Sequence, residues 1–401
     1  MTHYTTAKKV VQKILDRGYV ALFAGGYVRD LVLKHPSDDI DIATDAPIEI
    51  LQEIFPKTIP VGINFGIIIV VEDEHRYEVA TFRKESEYKD GRRPERVEKA
   101  TPKEDALRRD FTINGMFYDP IKEKIYDYVG GKEDIQKEVI RAIGNPHERF
   151  LEDRLRMIRA VRYASRFRFA IDPDTIEAIL SHSNDLFPAV ALERVYQEFK
   201  KMDAFPNFDE ALVMLHRLDL LEVIFPSLTD VPIEVIEKRV RFIPHFPKNA
   251  PTITKLLELF PDHSLIERIK LCNLLKLSNR DKQLVEELEL WRKSNTLEDY
   301  EWVKIYALPN CNTCLEIMTL TNPDPLFSQT HITRLNNLKN SIARMQNKQT
   351  IITSSHLKEH GVSPGKKMGQ LLEIGERYAV NHNTENPQTI LNHLFPRKTE
   401  T

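Results

Sequence analysis

Three cysteines in 401 residues, Cys272, Cys311 and Cys314, are too few for a disulfide framework and predict a chain that works in a reducing compartment. No run of about 18 apolar residues is present, so no membrane span is expected. No apolar signal core stands near Met1, so the expectation is a cytoplasmic protein rather than an exported one. Charged residues make up 29% of the chain, yet the net charge is only -3. A global basic excess is therefore missing, and any nucleic-acid surface must be local. No GxxxxGK[ST] run occurs, which disfavours a P-loop ATPase. The histidines are scattered without ligand spacing, and there is no internal repeat or low-complexity tract. What is there is length and an apolar content of 41%, enough for two to four modules with sizeable cores.

The chain is organised around Phe23-Ala24-Gly25-Gly26-Tyr27-Val28-Arg29-Asp30, followed by Asp38-Asp39-Ile40-Asp41-Ile42. A short apolar run ends in two glycines, where the backbone turns tightly or approaches a ligand closely. A helical segment, Tyr27 to Lys34, comes next. A glycine turn opening a helix is a phosphate cradle, and Arg29 adds a charged fork in its first turn. Asp39 and Asp41 alternate with Ile40 and Ile42, so on a strand both carboxylates share one face. Asp38 falls on the isoleucine side and is not counted with them. Two carboxylates beside a phosphate cradle are what Mg²⁺ carrying a nucleotide triphosphate requires. Glu78, on an expected strand from Arg76 to Arg83, is the candidate third carboxylate. This leaves kinases, ligases and polymerases open.

Up to Arg83 strands and helices alternate as in one small α/β domain. From Arg83 to Arg109 there are ten Lys or Arg residues against seven acids, and the stretch around Lys89 to Pro94 has turn chemistry. It reads as a mobile basic loop. Glu104 to Asn114 then reads as helical. Its Arg109 is a candidate phosphate or sugar contact, oriented by Asp110 and Asn114. Beyond about residue 136 strand signals nearly vanish and helices follow one another, punctuated by prolines.

Glu148 to Phe167 reads as one helix. Leu151, Leu155, Ile158, Val161 and Ser165 form an apolar stripe, and Glu152, Arg156 and Arg159 form a polar one. Asp153 lies one turn from Arg156. Salt-bridged surface is the ordinary explanation of such a run; base recognition is the sharper one. A carboxylate accepts from the exocyclic amine of cytosine or adenine, and an arginine donates to cytosine N3 or adenine N1. Uracil and guanine invert those groups, so an Asp–Arg pair selects C and A without a template. Arg159 and Arg162 are then expected to be free for phosphate or stacking. The lone Cys311-Asn312-Thr313-Cys314 run, with no second pair or nearby histidine, is a weak metal or redox signal.

Four motifs in order resemble class II tRNA nucleotidyltransferases, the CCA-adding enzymes and their relatives the bacterial poly(A) polymerases. They are Gly25 to Asp30 with Asp39-Ile40-Asp41; Arg108 to Met116; Glu152 to Arg156; and Ala191 to Val195. Gly361 to Gly365 with Gly369 is similar to a C-terminal element of many members. The resemblance is clear over about residues 20–200. It implies an α+β head of polymerase-beta-like nucleotidyltransferase type, residues 1–135, followed by an all-α neck (136–205), body (206–330) and tail (331–401). It also implies that Asp39 and Asp41 bind Mg²⁺, that Gly26, Arg29 and Arg109 hold the nucleotide, and that Asp153, Arg156, Arg159 and Arg162 read its base or touch its phosphates. The implied reaction is attack of an RNA 3′-hydroxyl on the nucleotide α-phosphate, with pyrophosphate release. The partners are the tRNA 3′ end with CTP and ATP as substrates. The one departure is Gly115, where relatives usually carry alanine.

Val61 to Gly66 resembles the glycine-rich run of tRNA-type members. With the intact Lys89–Pro94 loop and no long basic C-terminal extension, it favours CCA addition over CC-only, A-only or poly(A) activity. A catalytically dead RNA-binding protein and a small-molecule nucleotidyltransferase are the readings from other classes. Basic clusters at Lys238 to Arg241 and Arg397-Lys398 are candidate phosphate contacts. Oligomeric state has no signal in the sequence.

Overall fold

The computed structural model describes residues 2–35, 37–62, 66–88, 94–292 and 297–396. The chain forms two compact units, Met1–Lys238 and Arg239–Thr401. The run at Val61 to Gly66, the turn at Lys89 to Pro94 and the Arg397-Lys398 pair lie wholly or partly outside the described residues.

The first unit opens with α1 (His3–Leu15), capped by the Thr2 side chain, and β1 (Ala21–Ala24). After α2 (Gly26–Val32) come β2 (Asp41–Thr44), α3 (Ile48–Ile54), β3 (Thr58–Gly62), β4 (Ile67–Glu72) and β5 (His75–Thr81). A hairpin of β6 (Arg83–Tyr88) and β7 (Pro94–Lys99) precedes α4 (Pro102–Leu107). Then follow β8 (Met116–Asp119), β9 (Lys124–Asp127) and α5 (Gly131–Gln136). The main sheet has seven strands in the order β3-β4-β5-β2-β1-β8-β9, antiparallel except where β2 runs parallel to β5.

Strand alternation sorts the side chains of β1 onto two faces. Phe23 makes edge-on contacts with Tyr4 of α1 and Tyr27 of α2. Leu22 and Ala24 point the other way, into a core with Phe82, Ala106 of α4 and Phe117. The register sets Ile42 opposite Phe23 and Asp41 opposite Ala24, which puts Asp41 on the α4 side of the sheet.

The remaining elements are helical apart from β10 (Val139–Ile140) and β11 (Ala170–Ile171), a two-residue parallel pair in the stretch expected to be all-α. The helices are α6 (Pro146–Glu152), α7 (Leu155–Phe167), α8 (Pro173–His182), α9 (Leu192–Asp203), α10 (Phe208–Arg217), α11 (Leu220–Ile224) and α12 (Ile233–Val240).

The structure departs from the sequence reading in three places. The basic stretch on either side of the expected loop at Lys89 to Pro94 carries a ribbon the sequence did not suggest, with 83–88 paired to 94–99, and 102–107 is a capped helix. Helix 104–114 stops at Leu107, and Thr112–Asn114 form only a 3₁₀ turn. Helix 148–167 is two helices, broken at Asp153 in an extended conformation. Leu151 therefore does not continue the apolar stripe of α7 and is 44% exposed.

The second unit is helical throughout its described residues: α13 (Thr252–Leu256), α14 (Leu265–Leu274), α15 (Asn279–Arg292), α16 (Asp299–Tyr306), α17 (Cys311–Thr321), α18 (Phe327–Asn337), α19 (Lys339–Gln346), α20 (Ser354–Glu359), α21 (Lys366–Asn381) and α22 (Pro387–Leu394). Trp291, Trp302, Tyr306, Cys314 and Ile317 anchor one core, and Ile352, Leu357, Ala379 and Ile390 a smaller one. Cys311 and Cys314 lie on one turn of α17, free and buried in the larger core. Burial pushes the Cys311 thiol up to about 11, and that of Cys314 further, so both are packing residues held as thiols. No helix among the described residues is long and apolar enough to cross a membrane.

Candidate active site

Gly25 links β1 to α2 at φ +67°, and a Cβ there would lie 3.1 Å from Arg109 Nη1. Both facts favour glycine: the backbone is left-handed, and a guanidinium occupies the space. At Gly26, the next residue, an added Cβ would meet only the Arg29 guanidinium, at an ordinary 3.5 Å or more. Of the two glycines, Gly25 is the one the turn requires.

The segment Arg108–Asn114 distributes its side chains among four elements, α2, α4, α5 and α7. Arg108 and Arg109 both donate to the buried carboxylate of Asp105, at 2.9 and 3.0 Å, and Asp105 also accepts from the Arg83 amide. Burial alone would raise the Asp105 carboxyl, but the two guanidiniums hold it below its ordinary value. Asp110 accepts from Arg159 of α7 at 2.9 Å and from the Asn114 amide at 3.1 Å. Burial again opposes ionisation, and Arg159 overcomes it, holding this carboxyl well below the usual carboxylate range. Phe111 is buried edge-on to Tyr163 of α7. Thr112 donates to Asp134 of α5 at 2.7 Å. Asn114 Oδ1 accepts from Arg29 at 2.7 Å.

Arg29 is buried, with its Nε 2.8 Å from Asp30 Oδ1 and its guanidinium 4.7 Å from the Phe167 ring centre. The free charged fork expected from the sequence is thus already half-neutralised and fixed in place. Arg159 and Arg162 are not free either: Arg159 is tied to Asp110, and Arg162 to the buried Glu198 of α9 at 2.9 Å.

Asp153 stands at the break between α6 and α7. Its side chain accepts from the Leu155 amide at 3.2 Å and from Arg194 at 3.4 Å. Arg156 is buried and clasps three groups: the carbonyls of Arg149 and Arg108, both at 3.0 Å, and Glu152 at 2.7 Å. The two do not pair with each other, because the break separates the carboxylate of Asp153 from the arginine one turn on. Nε and one Nη2 hydrogen of Arg156 remain to donate.

Asp39 and Asp41 are exposed, at the start of β2. Parallel pairing sets Ile42 beside Val79, which brings Glu78 of β5 next to Asp41. Surrounding protein and then the charges of Glu78 and Asp39 push the Asp41 carboxyl up to about 7, with Arg109 opposing. Asp38 precedes the strand, is exposed, and is not among the residues lining the cavity described next.

These groups meet in a cavity of about 540 Å³ within the first unit. Ten of the eleven expected residues that are polar or charged, with Gly26, line it: Arg29, Asp39, Asp41, Arg109, Asp110, Asn114, Asp153, Arg156, Arg159 and Arg162. Glu78 approaches Asp41 without lining the cavity. Sequence reading missed Arg108, Tyr163, Arg166, Arg194 and Lys201, which also line it. It also missed Asp105 and Glu198, which hold the arginines from behind; Asp105 at three and four residues before Arg108 and Arg109 was the available signal. Nine cationic side chains face four carboxylates in the cavity, so it suits a polyanion. Asp39, Asp41 and Glu78 have no ion-pair partner among the described residues, which leaves uncompensated negative charge at one side and fits a divalent cation.

Residues 21–141 match the family described as the poly A polymerase head domain, and residues 168–231 match the probable RNA and SrmB-binding site of polymerase A. The CCA-adding enzyme of Ligilactobacillus salivarius is 32% identical over 405 residues, covering 97% of this chain and 95% of that protein. That of Enterococcus faecalis is 34% identical, covering 97% and 94%. The crystal structure of the Bacillus stearothermophilus CCA-adding enzyme in complex with CTP has a TM-score of 0.78 at 26% identity, covering 98% of each chain.

Proposed function

This chain belongs to the family of CCA-adding enzymes, and on that premise we propose that it adds C, C and A to the tRNA 3′ end from CTP and ATP without a template. The RNA 3′-hydroxyl attacks the nucleotide α-phosphate and pyrophosphate leaves. The observation that carries this reading is that carboxylates at one side of the 540 Å³ cavity face a dense set of arginines running to Asp153 and Arg156. In this assignment residues 1–135 are the catalytic head, 136–205 the base-reading neck, and 206–330 and 331–401 the body and tail that meet tRNA.

Asp39 and Asp41 would hold Mg²⁺, with Glu78 as the neighbouring carboxylate. When bound, the ion polarises the α-phosphate and lowers the pKa of the attacking hydroxyl. Gly26, Arg29 and Arg109 hold the triphosphate, and the Gly25 turn keeps the backbone close to it. Asp105, Asp110 and Asn114 fix the arginines, so little reorganisation accompanies nucleotide binding. Asp153 accepts from the exocyclic amine of C or A, and the two unused donors of Arg156 reach the adjacent ring nitrogen. Arg159 and Arg162, already paired, supply fixed positive potential.

The test uses tRNAs ending before the first C, the second C and the terminal A, each given one nucleotide at a time. Growth by C, C and A followed by arrest is expected. Indefinite growth with ATP alone would replace this reading with poly(A) synthesis. Asp39→Ala is expected to abolish incorporation while tRNA binding persists; full activity in that variant overturns the carboxylate assignment.

A further inference from the structure

His147 and His182 lie outside the residues of the nucleotide cavity and have no part in the reaction above. His147 is the second residue of α6, and His182 is the last residue of α8. His147 Nδ1 and His182 Nε2 face each other at 3.2 Å. The outer nitrogen of each ring faces a carboxylate: His147 Nε2 lies 2.8 Å from Glu177 Oε2, and His182 Nδ1 lies 2.9 Å from Asp185 Oδ2. Glu177 is itself held by the Ser181 hydroxyl at 3.0 Å.

An ionised carboxylate only accepts, so each outer nitrogen must carry the proton. In two neutral imidazoles both inner nitrogens then present lone pairs to each other, which is repulsive unless a positive charge sits between them. We propose that this charge is a divalent transition-metal ion of the zinc class, chelated by His147 Nδ1 and His182 Nε2. An ion about 2.1 Å from each nitrogen would subtend an angle of about 100° at the observed separation, between the octahedral and tetrahedral values. The two carboxylates complete the carboxylate–histidine–metal arrangement that fixes tautomer and ring orientation in metal sites. Their two negative charges also match a dication, and among the described residues neither Glu177 nor Asp185 pairs with a lysine or arginine. No group of three or more metal-binding side chains converges among the described residues, so water fills the remaining positions on the exposed side of His147. The ion staples α6 to the end of α8. Because α6 also carries the Arg149 carbonyl and Glu152 that hold Arg156, the staple steadies the wall of the cavity from outside.

Calorimetric titration of the full chain with Zn²⁺, in excess Mg²⁺ to occupy the carboxylate site, reads the proposal directly. One equivalent is expected, weakened at least tenfold by His147→Ala or His182→Ala and about tenfold by Glu177→Gln or Asp185→Asn. Cu²⁺ bound in the same site is expected to show two imidazole nitrogens by pulsed electron paramagnetic resonance. The carboxylate variants and the Cu²⁺ spectrum carry the test if a histidine variant fails to fold. Equal Zn²⁺ binding by wild type and all four variants overturns the proposal. So does an absence of Zn²⁺ uptake with a single proton shared between the inner nitrogens in ¹⁵N imidazole spectra.

Discussion

Asp105 illustrates how one buried residue organises several exposed functions. It is 1% exposed and receives both guanidiniums of Arg108 and Arg109. Asp105→Asn keeps the shape and removes the charge. A fall of roughly tenfold or more in kcat/KM is expected, because arginine placement rather than chemistry is lost; steady-state kinetics with each nucleotide checks it. Asp110→Ala strands Arg159 and is expected to cost about 3–5 kcal/mol of stability, read by denaturant unfolding. Gly115 is explained by its surroundings: a Cβ there would lie 2.6 Å from Val129 Cγ2 and 3.0 Å from Ile143 Cδ1. Val129 and Ile143 fill the space an alanine methyl needs, and the branched valine yields poorly. Gly115→Ala is expected to destabilise by about 1–3 kcal/mol, and Gly115→Ala with Val129→Ala is expected to recover part of the loss in the same unfolding measurement.

At the scale of elements, what was legible depended on local pattern. The alternation in Asp39 to Ile42 and the glycines before α2 gave strand, turn and helix, because period and turn chemistry are local signals. The ribbon of β6 and β7 was not legible, since Arg83-Lys84-Glu85 has no apolar alternation to read. The break at Asp153 was hidden for the opposite reason: apolar spacing continues on both sides of it. Its signal was the aspartate itself, whose side chain meets the Leu155 amide as at a helix start. Most of the cavity's residues could be named from motifs, but their partners could not. Arg162 meets Glu198 and Arg159 meets Asp110 across long separations that only the fold brings together. Glu198→Gln is expected to loosen Arg162 and raise KM for nucleotide more than it lowers kcat; comparison with Arg162→Lys in the same assay checks this.

At the scale of the whole molecule, both tryptophans of the chain lie in the second unit. They stand against His331, with ring centres 5.0 and 4.6 Å away. Burial pushes the His331 imidazole down to about 4, with Arg334 adding to the effect, while the Tyr306 hydroxyl meets its Nδ1 at 2.7 Å. An unfolded histidine takes its proton near 6.5. Between that value and about 4 the unfolded chain binds more protons, so stability is full above pH 6.5 and declines as pH falls. The thermal midpoint followed by tryptophan fluorescence is expected to drop from pH 7 to pH 5, as this group withdraws at most about 1.4 kcal/mol of stability per pH unit. His331→Gln is expected to flatten that slope.

Arg156 is at once a proposed reader of the base and a rivet between α6, α7 and the carbonyl of Arg108. A substitution there changes selectivity and foldedness together, so neither property can drift alone. Altered nucleotide preference is expected to emerge in lineages only after compensating changes at Glu152 or its neighbours. The order in which mutations arrive, and not merely their sum, then limits which preferences this scaffold can evolve.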